Sequence, residues 1–504
     1  MDYPFWDVGI GYGILMAAIA IPHVFVSHFA IGGGLYLVLA ERAARKINDT
    51  RRLEFLEGLS KFFVLVTLVF GALTGVGIWF IIGLLNPQAT SALIHNFVWG
   101  WASEWSFFVI EVLAAILYYR GWRTMSAKGH MTLGWIYFGS AWMSLFIING
   151  ILTFMLVPGD WITTASFWDG FFNPNFWSSL VLRTGVTVVL AGLFALMVAS
   201  RYKKDDWKGR LISYNALWTL LGAAIVLPSV FWFWHSLPDQ VTEAAVARMP
   251  LPMFTWGLFF WTGAALLLVT LLVGFILRRQ AHLVLTIPML ILALVWFGSF
   301  EWFRESVRKP FVIYDYMYGN AQELRLADQY EEDGLLAHIA YRTGQDGADL
   351  WRHSCRYCHT INGYQELKPA LDGTDEVFIA GMVKGVGVMR GNMPPFYGTD
   401  EEANLIAAHI HPHLDQRHLT EIYDLSGAAL GEKVYEVRCG KCHVFGGYND
   451  KAASILGLEE SDYHDLLDMA GDLAEEMPPF TGDKVEREAM IQYLLEKSQE
   501  EGGQ

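Results

Sequence analysis

Eight separate stretches of the chain are apolar over the ~20 residues that a helix needs to cross a bilayer. They lie near residues 11–40, 60–85, 95–119, 131–157, 176–200, 211–235, 253–277 and 282–303. No other feature constrains the fold as strongly. In a bilayer each backbone N–H and C=O must find its partner within the segment, so every stretch is expected to be a helix. The stretches end near residue 303 of 504, and a different kind of sequence follows. From Tyr314 onward there are 35 Asp and Glu against 15 Lys and Arg. With a whole-chain charge of −15, the residues before it carry about +5. A near-neutral apolar part thus precedes an acidic, water-soluble one. Such an acidic part argues against nucleic acid as a partner and suits a basic protein.

The loops between the apolar stretches set an orientation. Four of them are basic: Arg42, Arg45, Lys46, Arg51 and Arg52; Arg120, Arg123 and Lys128; Arg201, Lys203, Lys204, Lys208 and Arg210; and Arg278 with Arg279. The other three hold one basic residue, Arg248. Basic loops stay in the cytoplasm, so both termini and the acidic part are expected outside. The chain opens Met1-Asp2-Tyr3-Pro4 without a basic run, so no cleavable signal is expected and the first helix is expected to direct insertion. The location that fits is the bacterial cytoplasmic (inner) membrane, with the soluble part on the periplasmic side.

The only four cysteines occur in two Cys-x-x-Cys-His pentapeptides, Cys355 to His359 and Cys439 to His443. This pentapeptide attaches a c-type haem: the thiols form thioethers to the vinyl groups and the His ligates iron. Covalent c haem is attached outside the membrane, which agrees with the loop charges. The soluble part is an internal repeat of 84 residues. Its first unit continues to Gly363-Tyr364 and Met393-Pro394-Pro395-Phe396, its second to Gly447-Tyr448 and Met477-Pro478-Pro479-Phe480, with 34 residues from His to Met in both. Met393 and Met477 are the expected sixth ligands, although Met389 stands close to Met393. A thioether ligand raises the potential and leaves no open position for substrate. A lone pentapeptide is compatible with a zinc or thiol redox pair; two copies at equal His–Met spacing are not. His409, His411, His413 and His418 between the units read as a solvated linker. The units resemble the class I cytochrome c fold.

Ionisable residues within the apolar stretches are costly and therefore informative. The first stretch holds His23 and His28, on different faces. The third holds Glu104 and Glu111, seven apart and on one face. The eighth ends with Glu301, Arg304, Glu305 and Arg308 along one face. That row reads either as a salt-bridged surface network or as part of a site. His95 and His235 stand at helix ends, where an interfacial role is the ordinary one.

Pro22-His23-Val24-Phe25-Val26 with Gly32 and Glu41, Glu305-Ser306-Val307-Arg308-Lys309-Pro310-Phe311, Glu111 before Trp122, and Asn149-Gly150 together resemble subunit I of cytochrome bd-type oxidases over roughly residues 10–315. The resemblance implies that His23 and Glu305 are ligands in a membrane haem pair, that Arg308 interacts with that site, and that Glu111 lies on a proton pathway, with Glu104 a second candidate. It implies non-covalent haem b or haem d beside the two haem c. The family usually has a second membrane subunit, which makes one a candidate partner here. The departures are as informative. The family's low-spin haem b takes a His from the fifth helix, which falls here near Leu182 or Arg183, and a Met that falls near Trp261. The fifth stretch has no His. The loop that helps bind quinol is reduced to about His235–Leu251. His28, His95 and His235 are candidates for a relocated haem ligand.

The expected architecture is all-α: an eight-helix transmembrane bundle (1–311), a polar linker (312–345) and two small cytochrome c-like domains (346–420 and 427–498). Two functions fit. One is a bd-like terminal oxidase taking electrons from a cytochrome c or another periplasmic redox protein through the two c haems to an oxygen-reducing haem pair. The other is an electron-transfer subunit linking the quinone pool or a membrane partner to an outer-face enzyme, without oxygen chemistry.

Overall fold

The computed structural model describes residues 6, 8–247, 250–389 and 393–502. Arg248 and the opening Met1–Pro4 lie outside the described residues. Eight long apolar helices form a bundle: α1 (Tyr12–Lys46), α2 (Thr50–Leu85), α3 (Val98–Gly121), α4 (Ala127–Leu156), α5 (Phe176–Ala199), α6 (Asp206–His235), α7 (Pro250–Ile276) and α8 (Leu283–Arg308). All eight coincide with the expected stretches. His95 does not open α3; it lies on a short helix, Pro87–Asn96, which Asn86 caps by accepting from the Ala89 N–H.

Helix α5 is the hub, because small residues let its neighbours approach. A Cβ on Gly32 of α1 would stand 1.9 Å from the Thr187 carbonyl oxygen, so only glycine permits that crossing. On α6, a Cβ on Gly222 would stand 2.5 Å from the Val189 amide nitrogen. Close backbone approach through small residues is how helices associate in lipid, where the hydrophobic effect gives little drive. Between Leu65 and Gly71, α2 widens into a π-helical turn. Such turns free backbone carbonyls and recur at functional sites; here the Gly71 carbonyl is turned onto His23.

The polar linker is more ordered than its composition suggests. After α8 the chain forms a two-stranded antiparallel hairpin, β1 (Phe311–Ile313) and β2 (Met317–Tyr318), then the short helices Ala327–Asp333 and Leu335–His338. Two helical modules follow. The first contains α9 (Asp346–Ser354), α10 (Glu376–Lys384) and α11 (Asp400–Ile410); the second contains α12 (Gly427–Arg438), α13 (Glu460–Asp468) and α14 (Lys484–Gly502). In each, the helix before the Cys-x-x-Cys-His loop crosses the last helix through a glycine. A Cβ on Gly347 would meet the Leu405 carbonyl at 2.4 Å, and one on Gly431 the Ala489 carbonyl at 1.9 Å. The first module seats on the end of the bundle where α1 begins and α8 ends, opposite the four basic loops.

Candidate functional site

The two Cys-x-x-Cys-His loops have one geometry. His359 and His443 each donate an N–H to the Cys carbonyl four residues back, at 2.9 Å in both. Each imidazole is oriented through Nδ1, His359 on the Gln365 carbonyl and His443 on the Asn449 carbonyl, both at 3.2 Å. Gln365 and Asn449 stand one repeat apart, and both adopt left-handed backbone, with φ 52° and 47°. Fixing one ring nitrogen on a carbonyl leaves the other for iron, the usual arrangement of a ligating His. Burial lowers the pKa of His359, which favours the neutral ring that ligation needs.

The four thiols are free. Burial pushes those of Cys355 and Cys439 up to about 12. Raised thiol pKa values disfavour the thiolate on which a redox dithiol depends. Free paired thiols beside an oriented imidazole fit covalent haem c. Met393 and Met477 occupy equivalent places before Pro-Pro, whereas the repeat sets Met389 opposite Leu473. Met389 packs with Phe378 and Met382, and Met393 and Cys442 of the second module lie against that cluster. The second loop therefore abuts the Met393 side of the first module.

The first loop is plugged into the membrane bundle. Tyr357, between the two cysteines, packs edge-to-face on Tyr12 of α1 at 6.4 Å. Arg356 donates to the Val8 carbonyl at 2.7 Å, and the Tyr364 N–H to the Ile10 carbonyl at 3.0 Å. Asn86, just past α2, donates to the Gly319 carbonyl at 2.7 Å, and a Cβ on Gly319 would stand 2.9 Å from the Tyr357 ring. Beneath lies Arg308, within electrostatic reach of Tyr357 and Cys358; its Nη2 donates to both oxygens of Glu305 at 2.5 and 2.7 Å. Beside Met393 is a cavity of about 350 Å³, walled by Lys309, Phe311, Tyr314 and Tyr318 of the junction and by Gln240 and Glu243 of the reduced loop.

In the membrane, His23 Nδ1 lies 3.1 Å from both the Gly71 carbonyl and Thr74 Oγ1, leaving Nε2 for a ligand. A Cβ on Gly75 would come within 3.0 Å of His23 Cε1, so the glycine keeps the ring edge clear. Glu305 keeps 42% of its side chain accessible although Arg304, Ser306, Val307 and Arg308 around it are buried. An oriented imidazole with Nε2 free, and a carboxylate held by Arg308 but still partly accessible, are residue types that would hold a haem iron. Helices α1 and α8 that carry them adjoin, with the His28 and Phe297 rings 4.6 Å apart. Glu104 accepts from Ser144 at 2.6 Å and Glu111 from Tyr137 at 3.1 Å.

The place of a low-spin haem b is filled otherwise. Leu182 is buried, and Arg183, 1% exposed, ion-pairs with Glu301 at 2.8 Å. Arg304 holds the second oxygen of Glu301 at 3.1 Å. Trp261 is 79% exposed on the outside of the bundle. These residues do not fit a His–Met haem. The Arg183–Glu301 pairing was hidden in the sequence, since its members are more than a hundred residues apart; Glu301 in its charged row and a lone Arg in an apolar stretch were its traces. His28 is buried, donates through Nδ1 to the Val24 carbonyl at 2.7 Å and has Nε2 without a partner among the described residues, so it retains ligand capacity. His95 and His235 are exposed and bond the carbonyl four residues back, as surface helical histidines do.

Residues 342–410 and 426–494 each match the family described as cytochrome c oxidase, cbb3-type, subunit III. No curated protein matches the sequence. Among solved structures, the bd oxidase from Geobacillus thermodenitrificans is similar in fold, with a TM-score of 0.51 at 14% identity over 59% of this chain and 87% of that one. The chain thus joins a membrane bundle with the fold of a bd oxidase to two cytochrome c domains similar to subunit III of cbb3-type oxidases.

Proposed function

We propose that the protein is a membrane-bound oxygen reductase that draws electrons from a cytochrome c or similar redox protein on the outer face. The observation that carries this reading is the plug: Tyr357, inside the first haem-attachment loop, sits on the helix ends above the Arg308–Glu305 pair. When bound, the haems supply one-electron transfer in the outer modules and oxygen chemistry in the membrane. The residues of the chain divide the work. Cys355, Cys358, Cys439 and Cys442 would anchor two c haems, and His359 with Met393, and His443 with Met477, would hold their iron, which would then transfer electrons without binding substrate. His23 and Glu305 hold the membrane group, haem b or haem d. Arg308 balances the Glu305 carboxylate in apolar surroundings. Glu111 and Glu104 supply protons. The short loop between α6 and α7, and the Arg183–Glu301 pair in place of a haem ligand, fit a chain that takes its electrons from c modules instead of quinol. The basic loops at the far end of the bundle support the orientation with the modules outside the cytoplasmic membrane.

The second reading, an electron-transfer subunit, is favoured by His28, whose unpartnered Nε2 has the chemistry to close the second face of a membrane haem. Carbon monoxide separates the two. Reduced-minus-oxidised spectra that shift on adding it mark an open membrane haem and support the reductase; spectra that do not shift support the relay.

A further inference from the structure

The two c modules touch through a seat on the first that has an equivalent on the second. On the first module the seat is the C-terminal end of α10 and the turn after it. A Cβ on Gly381 would stand 2.8 Å from the Pro478 side chain, and one on Gly385 would clash with the Glu476 carbonyl. The Tyr448 hydroxyl donates to the Val388 carbonyl at 2.9 Å, and Cys442 lies against the cluster of Phe378, Met382 and Met389. This seat thus receives the attachment-loop face of another cytochrome c domain. One repeat on, Gly381, Gly385, Val388 and Met389 become Asp465, Met469, Asp472 and Leu473, at the end of α13 and just past it. Met469 is 52% exposed and Leu473 48%, against 9% for Met389. A head-to-tail contact that does not close on itself leaves its last seat open.

Charge separates the two seats. Residues 375–392 hold Asp375 and Glu376 against Lys384 and Arg390, which cancel. Residues 459–476 hold eight carboxylates and no Lys or Arg. Arg487 of α14 pairs with Asp468 at 2.7 Å, whereas Asp465, Asp472, Glu475 and Glu476 are exposed without an ion-pair partner among the described residues. Asp465 and Asp468 also stand in the last turn of α13, where the helix dipole disfavours anions. Neither packing nor the helix accounts for so much negative charge at this place.

We propose that this seat docks a basic c-type cytochrome, which presents its own haem-attachment face to Met469 and Leu473 as the second module presents its face to the first. The inference rests on the reductase reading and names the surface where its electron donor binds. Lysines around the partner's haem edge meet the carboxylates, which steers encounter. Asp465 and Met469 in place of glycines keep the backbones apart, so the contact is small and reversible, as delivery by a diffusing donor requires. Each encounter passes one electron: the partner's ferrous iron becomes ferric and the second module is reduced.

The test mixes the oxidised full chain, without oxygen, with a ferrous, lysine-rich mitochondrial cytochrome c in a stopped-flow instrument. The second-order rate of reduction of its c haems is read from low to high salt. The wild-type rate is expected to fall steeply as salt rises. Asp465→Asn, Asp472→Asn, Glu475→Gln and Glu476→Gln together should lower the low-salt rate about 10-fold or more and flatten the salt dependence. Met469→Ala with Leu473→Ala should lower the rate and keep the salt slope. Reduction by ascorbate with a mediator should match the wild type in both. Glu432→Gln, Glu496→Gln and Glu500→Gln together remove exposed charge from α12 and α14 and should keep most of the rate. A probe that does not reduce the wild type, a rate and salt slope that survive the four substitutions, or an equal loss in the α12 and α14 variant would overturn the docking site. Normal reduction without oxygen uptake would sink the reductase reading and leave the docking site intact.

Discussion

The two c modules are one scaffold used in two ways. Glu402 accepts from the Leu335 and Leu336 amides, and one repeat later Glu486 accepts from Leu419; Gly347 and Gly431 make the same helix crossing; Gln365 and Asn449 orient the two histidines. The interiors agree because both must hold a haem. The residues inside the attachment loop differ. Arg356 and Tyr357 reach into the bundle, whereas their equivalents are Gly440, beside Glu436 and Tyr435 of the preceding helix, and Lys441. Two loop positions, not the fold, distinguish the module that seats on the membrane bundle from the one that does not.

That contrast is most sharply broken at the cysteines. Removing Cys355 and Cys358 together should abolish reduction of the membrane site by any outer donor. Removing Cys439 and Cys442 should leave small reductants such as ascorbate with a mediator able to feed it. Stopped-flow absorbance at the membrane haem checks this; equal losses would mean that the modules do not act in series.

The interiors should differ in stability where a buried charge differs. Arg438 and Glu486 form a buried ion pair at 2.8 Å, and the first module has Ser354 where the second has Arg438. Arg438→Met strands a buried carboxylate and should cost the second module about 3–5 kcal/mol. Glu402→Gln, which weakens bonds to backbone amides, should cost the first about 1–3 kcal/mol. Thermal melts followed in the visible circular dichroism of the c haems report each.

Acid should separate the modules as well. Burial, aided by the charges of Arg352 and His338, pulls His353 down to about 4, and the second module has Val437 in its place. Above pH 6.5 the ring is neutral folded or unfolded. Between about 6.5 and 4 only the unfolded chain gains the proton, so the first module should lose roughly 3 kcal/mol of stability as pH falls through that window. His353→Phe should flatten the dependence, which urea melts at several pH values will show. The smallest effect is expected at the plug: Tyr357→Ala should slow reduction of the membrane site about tenfold, about 1.4 kcal/mol, at full haem c content, and Lys441→Ala should not.

Much of this was legible in the sequence for physical reasons. Lipid leaves helices as the solution for eight apolar runs, and haem attachment dictates its own pentapeptide, so spans and modules could be read directly. His23, Glu305 and the Glu104–Glu111 face stood out as candidates because ionisable groups in lipid are conspicuous. What stayed hidden was pairing across distance. Arg183 with Glu301, His130 with Glu41, and Tyr357 seated on Tyr12 join residues that no local period links. The ordered hairpin at Phe311–Tyr318 is an apolar, aromatic run (Phe-Val-Ile-Tyr-Asp-Tyr-Met-Tyr) that was grouped with the acidic stretch after it and so read as linker.

The central claim is that the plugged c module serves an oxygen-reducing site held by His23 and Glu305. Oxygen uptake by the purified full chain, driven by a reduced cytochrome c, tests it most directly. Steady uptake is expected, lost in His23→Ala and in Glu305→Ala while both covalent haems remain. No uptake by the wild type, or uptake that survives both substitutions, would contradict the account.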